Sequence, residues 1–262
     1  MSTKNNCLVF FIVLVAIVCC LPRSSRTDWD SWFGLCTASV PSPVSGKPFR
    51  SKTGIEFVWI PPGSFEMGSN DYINSRPCHI VKLEKGFWMA KHEVSQNLWQ
   101  KVMRNNPQKD TGYCGDYPVF RVSWHESIEF CKRLSKIEKL ELRLPSEAEW
   151  EYVSKMGEVV LPRLEYTKND RHHFLKLVSQ GKPNKLGIYH MLGNASEWCF
   201  DVWHPNYQGA PSDGKPRLSG NAALRVVRGG GFLNHYERHN PVNRQGVNAY
   251  EGVAGLRLVL NQ

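Results

Sequence analysis

Three short segments carry all the helical periodicity in this 262-residue chain, and that scarcity limits the fold more than any other feature. Ser95 to Met103 turns Leu98, Trp99 and Val102 to one face. Ser123 to Ile137 opens on Ser123-Trp124-His125-Glu126, a capping box whose hydroxyl and carboxylate satisfy the first free backbone donors. Its apolar positions Ile128, Cys131 and Leu134 recur at helical spacing. Ser146-Glu147-Ala148-Glu149 is a second capping box, directly after Pro145. Strands are predicted at Glu56 to Ile60, where Pro61-Pro62-Gly63 ends the run, and at His79 to Leu83 and Phe87 to Met89. Beyond the third helix Gly, Asn, Pro and His dominate, and only Val226-Val227 and Leu256 to Leu260 read as strands. The expectation is an α+β domain of low regular content.

Size and leader divide the chain. An apolar fraction of 41% can build a core, and one domain of roughly 200 residues plus a leader suits this length. Lys4 precedes an apolar run from Cys7 to Leu21, too short to span a membrane comfortably but suited to a signal peptide. Residues 1–22 are therefore read as a signal peptide or lipoprotein leader, with Cys19 or Cys20 as the acylation candidates. Residues 23–50 read as a Pro/Ser-rich linker, and 51–262 as the globular domain. Export follows: periplasmic, secreted, or anchored at the envelope through the N-terminus. The net charge of +9 is scattered, no nucleic-acid motif accompanies it, and a solvated basic face accounts for it.

Five cysteines remain after the leader: Cys36, Cys78, Cys114, Cys131 and Cys199. An odd number in an exported chain leaves at least one thiol free, and no Cys-x-x-Cys zinc pattern occurs. Cys131 and Cys199 read as buried small hydrophobes; Cys78 with Cys114 is a candidate disulfide whose pairing sequence cannot fix. No Ser-His-Asp set or phosphate loop appears, and the pairs His172-His173 and Glu147/Glu149 read as surface.

An ordered set of blocks resembles the formylglycine-generating enzymes, or sulfatase-modifying factors. These are Gly54 to Gly68 (GIEFVWIPPGSFEMG), Lys91-His92-Glu93-Val94-Ser95, Arg143 to Tyr152 (RLPSEAEWEY), Met191 to Trp198 (MLGNASEW), Arg228 to His239 (RGGGFLNHYERH) and Gly255 to Val259 (GLRLV). The resemblance implies a variant of the C-type lectin fold with a surface site built from C-terminal loops. It also implies that Arg143, Arg228 and Arg257 are structural, pairing with acids such as Glu149 or Glu151.

In the family's oxidases two cysteines in the Arg228–His239 block hold copper(I). Here Asn234 and His239 stand at those positions, with His235 at the family's histidine. An amide and an imidazole do not replace soft, oxidisable thiolates, so the resemblance points away from copper and from formylglycine formation. The Gly-Asn-x-x-Glu-Trp turn implies structural calcium at Asn194 and Glu197, hard oxygen donors suited to that ion. Asn194 as a plain turn residue is the competing reading. The segment from Phe232 to Gly252 is dense in types that make adaptable contacts. Phe232, Asn234, His235, Tyr236, Arg238, His239, Asn243, Arg244, Asn248 and Tyr250 are its candidate binding residues for a protein or small-molecule ligand. Bacterial variable proteins diversified by retroelements resemble this description. A family oxidase with a divergent site and a structural envelope component are the alternatives.

Overall fold

Trp59 and Trp88 face each other across two neighbouring strands, their ring centroids 5.4 Å apart, at the centre of the largest sheet. The computed structural model describes residues 48–157, 174–232, 234 and 238–261. In chain order its strands are β1 Phe49–Arg50, β2 Glu56–Ile60, β3 Gly63–Met67, β4 His79–Leu83, β5 Phe87–Ala90, β6 Leu142–Arg143, β7 Glu197–Val202, β8 Leu224–Arg228, β9 Arg244–Asn248 and β10 Val259–Asn261. The main sheet has the order β1-β2-β5-β10-β6, β3 and β4 pair alone, and β7-β8-β9 form a third sheet, all antiparallel.

The expected helices are α1 Gln96–Met103, α2 Trp124–Glu138 and α3 Glu147–Met156. Both capping boxes close as the sequence implies: Ser123 and Ser146 accept the backbone N–H groups of Glu126 and Glu149, whose carboxylates reach back. Each such cap is worth about 1 kcal/mol. Helix α3 packs against β3, β7 and β8. Trp150, Val153, Ile188, Met191, Cys199 and Val226 meet there in one buried cluster.

Several sequence expectations change. Phe49 and Arg50, assigned to the linker, pair with Phe57 and Glu56 as β1. β7 and β9 were not foreseen. β7 reads Glu-Trp-Cys-Phe-Asp-Val and is buried on both faces, so it has no alternation to detect. β9 reads Arg-Gln-Gly-Val-Asn, a polar run made a strand by pairing with β8. Glu147 and Glu149, read as surface, are buried in ion pairs. Cys78 and Cys114 are both free thiols, so the candidate disulfide is absent. Cys131 and Cys199 are buried as expected. The leader, most of the linker with Cys36, the pair His172-His173, and residues 233, 235–237 and 262 lie outside the described residues. Among the described residues no helix is long and apolar enough to cross a membrane.

Candidate functional site

β8 is the middle strand of the third sheet, and its register sets Arg228 opposite both Glu197 on β7 and Arg244 on β9. Arg228 and Arg244 both reach Glu147, at the start of α3. Arg244 makes a two-pronged contact through Nε (2.6 Å) and Nη2 (2.7 Å), and Arg228 Nη1 approaches at 3.2 Å. Arg228 Nη2 also donates to Glu151 (2.5 Å), and the Tyr207 hydroxyl donates to Glu147 at 3.1 Å. Burial raises the Glu147 pKa, but the Arg244 and Arg228 charges outweigh it and hold the group below its ordinary value. Asp201 accepts the backbone N–H groups of Glu147 and Arg217. Burial, then the Glu147 charge, pushes its pKa up to about 7.

Just past β8 the chain turns on Gly229 (φ 89°) and Gly230 (φ 67°). A side chain at Gly230 would collide with the His239 ring and the Arg238 carbonyl. The glycine therefore lets residues 238–239 lie against the turn. Two further bonds fix this geometry. Asn234 Oδ1 accepts the Gly231 N–H at 2.7 Å, and His239 Nε2 donates to the Gly231 carbonyl at 3.1 Å. His239 is buried, with its ring against Gly193. Phe232 packs on Phe120 and Tyr113 at 5.3 and 6.2 Å, and its N–H donates to the Asn194 carbonyl.

A soft copper(I) ion does not fit this pair. Asn234 offers only a hard amide oxygen already engaged with a backbone N–H, and the ring nitrogen of His239 facing Gly231 is a donor. Calcium fits Asn194 and Glu197 no better. The Asn194 amide oxygen accepts Lys176 N–H at 2.8 Å, and its Nδ2 donates to Glu93 at 2.6 Å. The Glu197 carboxylate is held by Arg257 at 2.7 and 3.0 Å and by Trp150 Nε1 at 2.8 Å. An ion there would have to break a buried ion pair. Among the described residues no group of three or more His, Cys, Asp or Glu could hold a metal.

The expected binding residues therefore divide. Arg238 is exposed, and Asn243 is half-buried with its amide donating to the Arg238 carbonyl. Asn248 and Tyr250 are exposed at the other end of β9, where the Tyr250 ring lies 4.3 Å from His125. Four residue steps of strand separate Arg244 from Asn248, on the order of 14 Å. Arg244 corrects the expectation: it is buried in the Glu147 pair and cannot face a ligand. His239 and Phe232 hold the loop from within. His235 and Tyr236 lie outside the described residues.

Sequence reasoning missed Glu93, which is 4% exposed and accepts the Asn194 amide and the Ala195 N–H. Burial, then the Glu197 charge, pushes its pKa up to about 8. No spacing flags a single Glu after His92 as buried. It also missed the segment 70–76, which hydrogen-bonds to the C-terminal segment through Asn74, Ser75 and Tyr72. A separate cleft of about 480 Å3, lined in part by His92, Lys101 and Asp116, includes no residue of 228–250.

Comparison with known proteins places this geometry. Residues 44–262 match the family described as Sulfatase-modifying factor enzyme 1-like domain. Chaperone protein LppX of Paenibacillus barcinonensis is 27% identical over 68% of this chain and 79% of its own length. The formylglycine-generating enzyme of Streptomyces coelicolor is 30% identical over 46% of this chain, and the match spans only 43% of that enzyme. Among solved structures, PvdO from Pseudomonas aeruginosa superposes with a TM-score of 0.74 at 25% identity, over 84% of this chain and 100% of that one. Treponema denticola variable protein 1 superposes with a TM-score of 0.67 at 25% identity, over 82% and 99%.

Proposed function

From the premise that this chain belongs to the sulfatase-modifying factor enzyme 1-like family, we propose that it is an exported binding or accessory protein without the oxidase reaction. One observation carries the reading. The two residues standing where the family's oxidases carry cysteines, Asn234 and His239, both brace the Gly231 peptide from within the loop. Oxidation of a substrate thiol by copper and oxygen needs thiolate ligands free to take the metal, and these residues have a different task. The loop they shape leaves Arg238 exposed beside half-buried Asn240 and Asn243, a contact surface for a ligand. The Paenibacillus relative is named a chaperone protein, which agrees with a partner that is a polypeptide. Export rests on the leader sequence.

The test is direct. The full chain is incubated aerobically with a cysteine-containing sulfatase-type peptide and copper, and the peptide mass is followed. The peptide is expected to stay unchanged; conversion of its cysteine to an aldehyde would overturn the reading. Copper or iron retained through purification would argue for the divergent-oxidase alternative.

A further inference from the structure

Segment 70–76 is distant in sequence from the C-terminal loop yet stitched to it. Ser75 Oγ donates to the Val242 carbonyl at 2.6 Å. Asn74 Nδ2 donates to the Arg244 carbonyl at 3.0 Å, and Arg244 Nη1 returns a bond to the Asn74 carbonyl at 2.8 Å. Asn240 Nδ2 donates to the Tyr72 hydroxyl at 3.0 Å. Ser75 is fully buried, and the backbone closes a 3-10 turn over Ile73–Ser75. This scaffold nevertheless holds Ile73 81% exposed, with Tyr72 at 39%. An isoleucine in a fixed position in water costs solvation and gains no packing. Ordering entropy already lost in the free protein is not lost again on binding, which favours a preorganised contact.

Among the described residues of 70–76 and 238–243, two exposed arginines outnumber one acid. Arg76 is exposed, and its Nε donates to the Asn70 carbonyl at 2.7 Å. Arg238 is exposed two residues before Asn240. Neither has a carboxylate partner among the described residues. Among the described residues Asp71 is the acid of this segment, and its carboxylate accepts from the Ser69 hydroxyl.

We propose that Tyr72 and Ile73 extend the C-terminal loop into one docking surface for an acidic polypeptide segment, an apolar residue packing on Ile73 and Tyr72 and flanking carboxylates meeting Arg76 and Arg238. The inference rests on the binding reading above and deepens it by naming the partner's chemistry. Apolar contact supplies the anchor, and the two guanidiniums supply sign and register.

The probe is a displayed library of random linear peptides selected on the full-length wild-type protein. Expected winners carry Asp or Glu beside an aliphatic or aromatic residue. Ile73→Asp should weaken a winner at least about tenfold, and the paired change Arg76→Gln with Arg238→Gln should weaken it and flatten its salt dependence. Both changes fall on exposed side chains, and thermal unfolding checks that each variant folds. Winners without acidic residues, or insensitive to Ile73→Asp, would overturn the inference. If Asn243→Asp abolished binding while Ile73→Asp did not, the loop would bind alone: the extension would fail and the binding reading would stand. If the library gave no winner at all, the acidic-peptide inference would be overturned, while the binding reading would still stand or fall on its own test. A wild-type dimer lost in Ile73→Asp would make a second copy the occupant and overturn the acidic-peptide partner.

Discussion

Arg244 on β9 and Glu147 at the start of α3 lie 97 residues apart and meet in a buried two-pronged ion pair at 2.6 and 2.7 Å. Arg228 joins the same carboxylate, so the pair ties the third sheet to the helix beneath the C-terminal loop. Removing Arg244 takes away both of its bonds to the buried Glu147 carboxylate and leaves it, among the described residues, only Arg228 and the Tyr207 hydroxyl. Arg244→Met should therefore lower unfolding free energy by about 3 kcal/mol or more, measured by urea denaturation. Tyr250→Ala, on the exposed end beyond β9, should change it by no more than about 0.5 kcal/mol. Equal effects from the two would refute the burial of Arg244.

Glu93 should make stability depend on pH. Its folded-state pKa of about 8 lies above the ordinary 4.5, so its favourable contribution is whole below about pH 4.5 and is lost as pH rises to about 8. Asp201, raised to about 7, acts in the same direction. Measured against Glu93→Gln, wild type should lose relative stability across that window at a slope approaching 1.4 kcal/mol per pH unit. A stability difference that does not vary with pH would show that Glu93 titrates normally.

The Asn194–Glu197 turn should be stable without metal, because Arg257 supplies the positive charge against Glu197. Melting temperature should be the same in EDTA and in millimolar calcium. An ion bound at a hundredfold excess over its Kd would add about 2.7 kcal/mol, a shift of several degrees. Glu197→Gln should be destabilising by about 3 kcal/mol, since it leaves Arg257 buried without its partner.

Thiol chemistry should separate the cysteines. Burial pushes the Cys131 and Cys199 thiols well up, and both are enclosed. Cys114 is exposed. Peptide mapping after alkylation of the native protein should find Cys114 modified, with Cys131 and Cys199 modified only after unfolding. A Cys78–Cys114 cross-link in the purified protein would contradict the free thiols found here.

Asn234→Ala should loosen the loop without unfolding the domain. It removes the acceptor for the Gly231 N–H, at a cost of about 1 kcal/mol. Faster hydrogen exchange at Gly231, with the β8 amides unchanged, is the expected signature.

Local chemistry was fully legible in the sequence. Ser123 with Glu126 and Ser146 with Glu149 are bonds between residues three apart, so the letters alone specify them. The substitution of Asn234 and His239 for a thiolate pair was equally plain. The acids partnering Arg143 and Arg228 include Glu149 and Glu151, as the resemblance implied. Arg257 instead pairs with Glu197, the residue expected to bind calcium. Which acid meets which arginine depends on strand register, and no local pattern encodes it.

The same limit explains the C-terminal segment. Its polar letters announced a contact loop, and sequence determined that it would not be helical and would lack sulfur ligands. Tertiary structure decided that Arg244 faces inward, that His239 lies under Gly230, and that Tyr72 stands beside Asn240. Arg244 and Asn248 share one face of β9, yet only Arg244 is buried, because it lies at the end of the strand opposite Arg228, where Glu147 and the Asn74 and His204 carbonyls enclose it. A strand residue's burial is set by its neighbours in space, and Glu147 and Asn74 lie about a hundred residues or more from Arg244 in the chain.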